Sequence, residues 1–574
     1  MSFVADAVPG YHGGYRRIDL ATARSETVPL PESVLRAFLG GSGLGTYLLL
    51  QERAATCDAY DPQAPIAFVF SPLVGSPLTT SAKFAVVAKS PLTNQLNDAL
   101  ASSGFAIAGK RTGCDALVLI GKCAEPSIVV VDDQQVAVQP AGDLWGMEVP
   151  QAEEALRQRL GAEFACAVIG PAGERRVRFA TVSHDGRHAG RGGHGAVLGS
   201  KNVKAIAVRG SAQTRWADPA GLNAIAKDLS RRSFGPATAK YRELGTAANL
   251  LVFNRLGVLP TRNFQEGRFE GVERLSPEQM RVSREKMQAS CVACTIGCEH
   301  IYGVRASDVE PVGKGVRVEY ENLFALGPLC GVQDPDTVLA ASQRCDQLGI
   351  DTISAGATIA FAMECVQRGL LEEAWLRFGD GAALLRAVNQ IGARQGLGQQ
   401  LADGSRRMAT QIGQEALKFA PQVKGLEIPG YEPRGLQTVA LGFAVGTRGA
   451  DHNRSSAYEV DFSARVDRRR LTPNDVALAV ASEDRAALLD SLILCKFLRG
   501  VFVDVYEEAA GMLKQVTGWD LTGSELRETA ARIVTAKKLF NIRAGWRPEE
   551  DTLPARFLEQ PLEGDPRAVL TATR

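Results

Sequence analysis

The chain has 574 residues, 45% of them hydrophobic, which is enough for two to four domains and a large buried core. Its 65 basic and 64 acidic residues leave a formal charge of +1, which excludes a bulk electrostatic case for nucleic acid or a membrane surface. Fifty-eight glycines with only 6% aromatic residues point to many tight turns and close backbone approaches, as around a large buried cofactor.

The first residues, Met1 to Asp6, carry neither a basic nor an apolar region, so no signal peptide is expected. From Tyr15 to about Val208, short β-branched runs bounded by Gly, Pro, Asn or Asp predict strands at 66–70, 84–88, 116–120, 128–131 and 205–208. Helical spacing of apolar residues predicts helices at 31–39 and 150–160. The uncharged run 65–82 is broken by Pro72 and Pro77 and cannot span a membrane as a helix. Beyond Ala212 the pattern turns to amphipathic helices at 219–229, 337–347, 351–368 and 382–391, then 473–498 and 524–540 after a loop from Gly425 to Gly435. No internal repeat of solenoid type is evident. The expected fold is α+β: a β-rich N-terminal cofactor-binding domain (1–211), a helical domain (212–420) and a helical C-terminal domain (421–574).

Eleven cysteines, an odd number and mostly single in apolar surroundings, argue for reduced thiols in a cytoplasmic setting. Three of them cluster. Cys291, Cys294 and Cys298 stand at C-x2-C-x3-C spacing, which can turn three sulfurs toward one point, and sulfur is the ligand soft iron or zinc prefers. A fourth ligand must come from elsewhere, and Cys495, after the apolar run 486–494, is the candidate. Structural zinc sites usually come as two close pairs, so three plus one fits a cubane iron–sulfur cluster better.

Two segments echo each other: Asp346-Gln347-Leu348-Gly349-Ile350-Asp351 and Asp490-Ser491-Leu492-Ile493-Leu494-Cys495. In the first, Gly349 can take the left-handed conformation that ends a helix and Asp351 can cap the next, a junction suited to a polar, multi-ring ligand and equally to an ordinary helix–helix turn.

Together with the thiols, this pair resembles the pattern of the tungsten-dependent aldehyde:ferredoxin oxidoreductase family. The resemblance covers nearly the whole chain. It includes Gly40-Gly41-Ser42-Gly43-Leu44-Gly45, Lys89-Ser90-Pro91-Leu92-Thr93, Ile169-Gly170-Pro171-Ala172-Gly173-Glu174 and the Gly-rich stretch 185–202, then Glu319-Tyr320-Glu321-Asn322, Tyr431-Glu432-Pro433-Arg434-Gly435 and Arg448-Gly449-Ala450-Asp451-His452.

The resemblance implies a bis-pterin tungsten (or molybdenum) cofactor with no side chain on the metal, Mg2+ as a candidate bridge between the pterin phosphates, and one [4Fe–4S] cluster on Cys291, Cys294, Cys298 and Cys495. Arg187 and Arg191, in Gly-rich turns, would meet phosphates, and Asp346 and Asp490 would accept from pterin N–H groups. By similarity, Ser102, Gly104, His188, Gly190, Ile350, Asp351, Arg448, Arg454 and Leu494 would also line the cofactor. His452, with Glu321 as its carboxylate, occupies the position of the family's histidine near the metal and would manage protons. Of the other histidines, His300 is expected behind the thiols or at the surface, and His188 and His194 as local changes in the pocket.

Three positions depart from the family pattern. Lys83 stands where an arginine bridges pterin and cluster, and loses the planar fork. Ile493 replaces the glycine of the second aspartate turn, leaving its geometry open. The helix at 337–341 lacks the Glu and His that hold iron between subunits in some relatives, so an oligomer is left open but a metal-bridged dimer is unsupported. The implied reaction converts a small aldehyde and water to a carboxylic acid, reversibly, with electrons passing to a ferredoxin or a small ferredoxin-like iron–sulfur subunit. A low-potential aromatic acyl-CoA reductase subunit and a non-catalytic iron–sulfur or zinc scaffold are the alternatives. The thiol order runs opposite to the C-x3-C-x2-C of radical-generating cluster enzymes.

Overall fold

The computed structural model describes residues 8–133, 135–304 and 315–562; the reading of residues 1–6 as free of a signal peptide lies outside them. The β-branched runs form two six-stranded sheets among the described residues. The first holds β1 (Gly14–Asp19), β2 (Arg24–Pro29), β3 (Ile66–Val69), β4 (Lys83–Lys89), β5 (Leu96–Ser102) and β6 (Ala116–Ile120) in the order β2-β1-β6-β3-β4-β5. The second holds β7 (Ser127–Val131), β8 (Val136–Pro140), β9 (Ala165–Val168), β10 (Val182–His184), β11 (Arg187–Ala189) and β12 (Val203–Val208) in the order β8-β7-β12-β9-β10-β11.

Adding six to each strand number of the first sheet gives the second. The pairing directions agree as well: only β1 with β6, and β7 with β12, run parallel within the sheets. The helices repeat too, since Gly104–Lys110 precedes β6 as His194–Ser200 precedes β12. The N-terminal part is therefore an internal duplication, invisible to a search for short repeats because side chains differ while pairing order persists.

Alternation along β3 and β4 buries both faces: Phe68, Phe84 and Val86 pack on one side, and Val69, Ala85 and Val87 on the other with the helix Gly41–Gln51. The rest of the chain is mainly helical, so the fold is α+β, a β-rich N-terminal part followed by helices.

Predicted helices appear at Glu32–Phe38, Val149–Leu160, Pro219–Ser233, Pro335–Leu348, Thr352–Gln367, Gly381–Ala393 and Gly523–Arg543. The expected helix 473–498 is corrected: it runs Val476–Leu492 and stops because Ile493 turns left-handed, at φ 59° and ψ 25°.

The two echoing segments then fold alike. Gly349 ends its helix at φ 74°, with the Ile350 N–H donating 2.9 Å to the Cys345 carbonyl. In the second copy the Leu494 N–H donates 2.9 Å to the Leu489 carbonyl, the same six-residue closure. A β-branched residue in this conformation costs about 1–2 kcal/mol, yet Ile493 is buried and recovers it by packing.

Neighbouring glycines decide which turn carries a side chain. A Cβ on Gly349 would lie 3.0 Å from the Gly170 nitrogen, so the first turn has no room. At the second, the missing side chain belongs to Gly41, whose Cβ would come 2.3 Å from the Asp490 carbonyl oxygen and 2.9 Å from Ile493 Cγ2. Gly41→Ala is expected to lower stability by about 1–3 kcal/mol through overpacking, measured as the midpoint of chemical denaturation, with the loss falling on the second turn.

Candidate functional site

One cavity of about 460 Å³ lies where the two sheets meet the helical part, and most of the expected site residues line it. Three thiols arrive on a hairpin. Lys286–Ala289 (β13) pairs with Glu299–Tyr302 (β14), and Cys291, Cys294 and Cys298 sit in the connection between them. Cys495 arrives from the second aspartate turn, its N–H donating 3.2 Å to Thr80 Oγ1. All four are half-buried, free and in the cavity wall. They feel one another. Burial, then Cys495 and Cys291, push the Cys294 thiol up to about 11, and the same influences raise Cys298 further. Among the described residues no three His, Cys, Asp or Glu side chains close on a single ion. All four cysteines lie in the lining of this one cavity, and four thiolates are the donor set that an iron–sulfur cluster takes.

Lys83 opens β4 opposite Ser102 of β5 and reaches the same wall. Burial pulls its ammonium down, but Cys495, Cys291, Cys294 and Asp490 outweigh burial, so its pKa stands above the ordinary value. It is thus placed between the thiols and the second aspartate. Ser102 donates 3.0 Å to the Ala82 carbonyl.

The two aspartates differ in company. Asp346, 40% exposed, meets His188 Nε2 at 3.1 Å, and His188 Nδ1 lies 2.8 Å from Ser183 Oγ. Asp490, 3% exposed, accepts from Arg454 at 3.0 Å and from Lys496 at 3.2 Å. Ile350, Asp351, Gly190, Arg448 and Leu494 also face the cavity, and a Cβ on Gly190 would meet open space. Asp351 caps its helix through the Ile353 N–H.

Three expected residues are bonded to protein groups. Gly104 does not line the cavity; as the first residue of its helix it donates 3.2 Å to Asp185 Oδ2. Arg187 lines the cavity but addresses the thiol wall, donating 2.7 Å to Cys291 Sγ and pairing with Glu299, rather than presenting an open fork to a phosphate. Arg191 is also committed to protein acceptors: Asp351, the Ala450 carbonyl and the Glu427 carbonyl. His300 is buried, with Nε2 2.9 Å from the Arg242 carbonyl, so the surface placement is corrected. His194 is buried against Asn97, outside the cavity lining.

The proton-handling pair is close. His452 Nδ1 stands 3.7 Å from Glu321 Oε1, and both atoms are buried without a partner. The His452 ring stacks on Tyr431 at 5.1 Å, and Tyr431 on Tyr458 at 5.0 Å. Burial lowers His452 to about 3, with Asp451 opposing and Arg191 assisting. Burial raises Glu321 to about 8 against the Gly430 N–H that donates to it at 3.1 Å. Near neutral pH the pair is a neutral imidazole beside a carboxylic acid.

Two carboxylates that organise this site had no role assigned from the sequence: Asp98, not singled out at all, and Asp451, read only as part of a motif. Asp98, on β5 and 1% exposed, accepts from Arg454 at 3.0 Å and Lys537 at 2.9 Å, with Arg448 at 3.8 Å. Asp451 caps the turn carrying His452 through the Asn453 and Arg454 N–H groups. The signal for Asp98 was a polar Asn-Asp pair between Leu96 and Ala99, which reads as a loop.

The chain is 35% identical over 572 residues to the tungsten-containing aldehyde ferredoxin oxidoreductase of Pyrococcus furiosus, covering 97% of this chain and 93% of that protein. Its identity to the protein of the same description from Thermococcus kodakarensis is 34%, with the same coverage. Among solved structures, the active-site complex BamBC of benzoyl coenzyme A reductase superposes with a TM-score of 0.82 at 21% identity, over 96% of this chain and 91% of that one, a likeness of fold. The family model for the aldehyde ferredoxin oxidoreductase N-terminal domain matches residues 15–210 and that for domains 2 and 3 matches 224–573. This protein belongs to the aldehyde ferredoxin oxidoreductase family.

Proposed function

We propose that the chain oxidises an aldehyde with water to the carboxylic acid, reversibly, at a bis-pterin tungsten (or molybdenum) centre, and passes electrons through one [4Fe–4S] cluster to a ferredoxin-like acceptor. The observation that carries this is the meeting, in one cavity, of four thiols from distant parts of the chain, two aspartate turns and the His452–Glu321 pair. The bound metal centre supplies the two-electron redox chemistry, and the cluster divides it into single electrons.

The chain's own residues supply position and protons. Cys291, Cys294, Cys298 and Cys495 would hold the iron, and Asp346 and Asp490 would accept from pterin N–H groups at the two helix ends. Gly190 leaves space for a ring to approach. Lys83 would join the two groups as a point charge. Phosphate contacts would fall to backbone N–H groups, since Arg187 and Arg191 are committed within the protein; Mg2+ could then balance the phosphates. The neutral His452 imidazole can donate to the aldehyde oxygen or accept from water, and the protonated Glu321 carboxyl can return that proton.

We divide the chain at about 211 and 420, the first of which falls between the two family matches. A cytoplasmic setting is supported by eleven free thiols; among the described residues no helix is long and apolar enough to cross a membrane.

Protein prepared without oxygen should contain about one tungsten or molybdenum and about four iron atoms per chain, and should reduce viologen when given an aldehyde. Cys495→Ser should lower iron content and abolish the dye reaction. Zinc alone, with no aldehyde-dependent reduction, would sink the proposal.

A further inference from the structure

The hairpin β10–β11 is drawn tight by Asp185-Gly186. Both residues take positive φ, 49° and 64°, as a two-residue Asp-Gly turn requires, and this fixes the register with His184 opposite Arg187 and Ser183 opposite His188. The strand leading into β10 is bonded to the first aspartate turn: the Thr181 N–H donates 2.9 Å to the Gly349 carbonyl, and the Asp351 N–H donates 3.1 Å to the Phe179 carbonyl. The backbone thus sets this hairpin against the helix end that carries Asp346. Alternation along the strands puts Thr181, Ser183 and His188 on one face.

The side chains on that face form a chain with one direction. Thr181 Oγ1 lies 3.2 Å from Ser183 Oγ, Ser183 Oγ 2.8 Å from His188 Nδ1, and His188 Nε2 3.1 Å from Asp346 Oδ1. An ionised carboxylate can only accept, so Nε2 carries the proton; Nδ1 then accepts from Ser183, and Ser183 is left to accept from Thr181. Every contact is met by neutral donors. Thr181, His188 and Asp346 all line the cavity. The second turn is held differently, because Asp490 accepts from two cations, Arg454 and Lys496, where Asp346 meets an imidazole. The first aspartate therefore keeps more of its negative charge for the cavity than the second does.

We propose that His188 is a positioning residue for the pterin at the first aspartate turn: backed by Ser183, its Nε2–H fixes the orientation of Asp346 and draws off part of the carboxylate's charge. It acts through Asp346 and not on the substrate. The proposal rests on the pterin reading above and gives the two aspartates different characters. Asp490 is an acceptor pinned by permanent cations, and Asp346 is one whose strength is set by a single imidazole. Groups standing behind the residues that touch a metal centre commonly tune its affinity and its potential in this way.

The test uses the holoenzyme purified without oxygen, and reads metal content by elemental analysis and the tungsten midpoint potential by a redox titration followed by electron paramagnetic resonance. His188→Leu should release tungsten about tenfold faster than the wild type, with iron retained. Its midpoint potential should be lower, because a carboxylate relieved of its donor leaves the metal centre in a more negative setting and harder to reduce. His188→Gln, whose amide nitrogen can stand in for Nε2, should restore both. On an Asp346→Asn background the change His188→Leu should add little, as for two residues acting as one unit. Wild-type tungsten release and potential in His188→Leu, failure of the Gln variant to restore either, full additivity with Asp346→Asn, or loss of iron in step with tungsten would overturn the role of His188. A wild type that holds iron but neither tungsten nor molybdenum would instead overturn the pterin reading itself.

Discussion

Turnover of a Glu321→Ala variant is expected to fall about 10²- to 10⁴-fold, the range typical of losing a positioned acid–base group, with iron and tungsten content unchanged. The metal content should survive because Glu321 bonds to neither the thiols nor the paired aspartates; it accepts from the Gly430 N–H and stands 3.7 Å from the His452 ring. His452→Ala should give a comparable loss. Glu321→Gln separates charge from shape: it keeps a neutral group beside the imidazole but cannot titrate.

The pH profile then distinguishes the variants. Glu321 is protonated in the fold up to about 8, whereas an unfolded carboxyl ionises near 4.5. Its proton therefore favours the folded state most fully below 4.5, and that contribution fades as pH rises through 8. His452 works in the other direction: kept neutral down to about 3, it favours folding above 6.5 and loses that contribution as pH falls toward 3. Wild-type activity should decline above about pH 8 as Glu321 ionises, and Glu321→Gln should lack that decline at a lower plateau. A variant with full activity and an unaltered alkaline limb would remove Glu321 from the chemistry.

The second large effect is on stability. Asp98→Asn should cost about 3–5 kcal/mol, the range for breaking a buried ion pair while leaving its partners in place. Arg454 and Lys537 donate directly to this carboxylate, and Arg448 lies near it. Arg448, Arg454 and Lys537 outweigh burial and hold Asp98 well below the usual carboxylate range. Its contribution is present above the ordinary carboxylate pKa and lost as the medium becomes strongly acid. The wild type should lose stability below about pH 4 more steeply than Asp98→Asn. Arg454 also holds Asp490, so the variant should bind the pterin cofactor less firmly. A denaturation midpoint within experimental error of the wild type would refute the assignment of Asp98 as the anchor.

What the sequence disclosed was mostly local. Three thiols within eight positions announce themselves, and so do two aspartates each four residues ahead of a helix end's last turn partner. Long helices such as Thr352–Gln367 were legible because their apolar spacing persists over several turns. Termination at Ile493 was not, since the residue that stops the helix is a good core residue, and only the gap left by Gly41 makes its left-handed conformation affordable. β5 escaped because its buried Asn97 and Asp98 serve tertiary partners remote in sequence, the Arg191 carbonyl for Asn97 and Lys537 for Asp98. Arg187 was read toward a phosphate from its Gly-rich neighbourhood; in the fold it lines the cavity with its guanidinium on Cys291 and Glu299, an orientation that composition does not give. The duplication of the sheets was hidden for a related reason, as hydrogen-bond order is a property of the backbone.

The supply of sulfur from two remote places has a consequence for biosynthesis. During translation the hairpin with its three cysteines emerges well before Cys495, which reaches the others only after the helix Val476–Leu492 has laid Ser491 against Gly43. A nascent chain can thus offer at most three thiols of this set, and the same late segment that completes the set also walls the cavity. A cluster that takes all four sulfurs can therefore be completed only once the chain has been made through Cys495 and that segment has folded back.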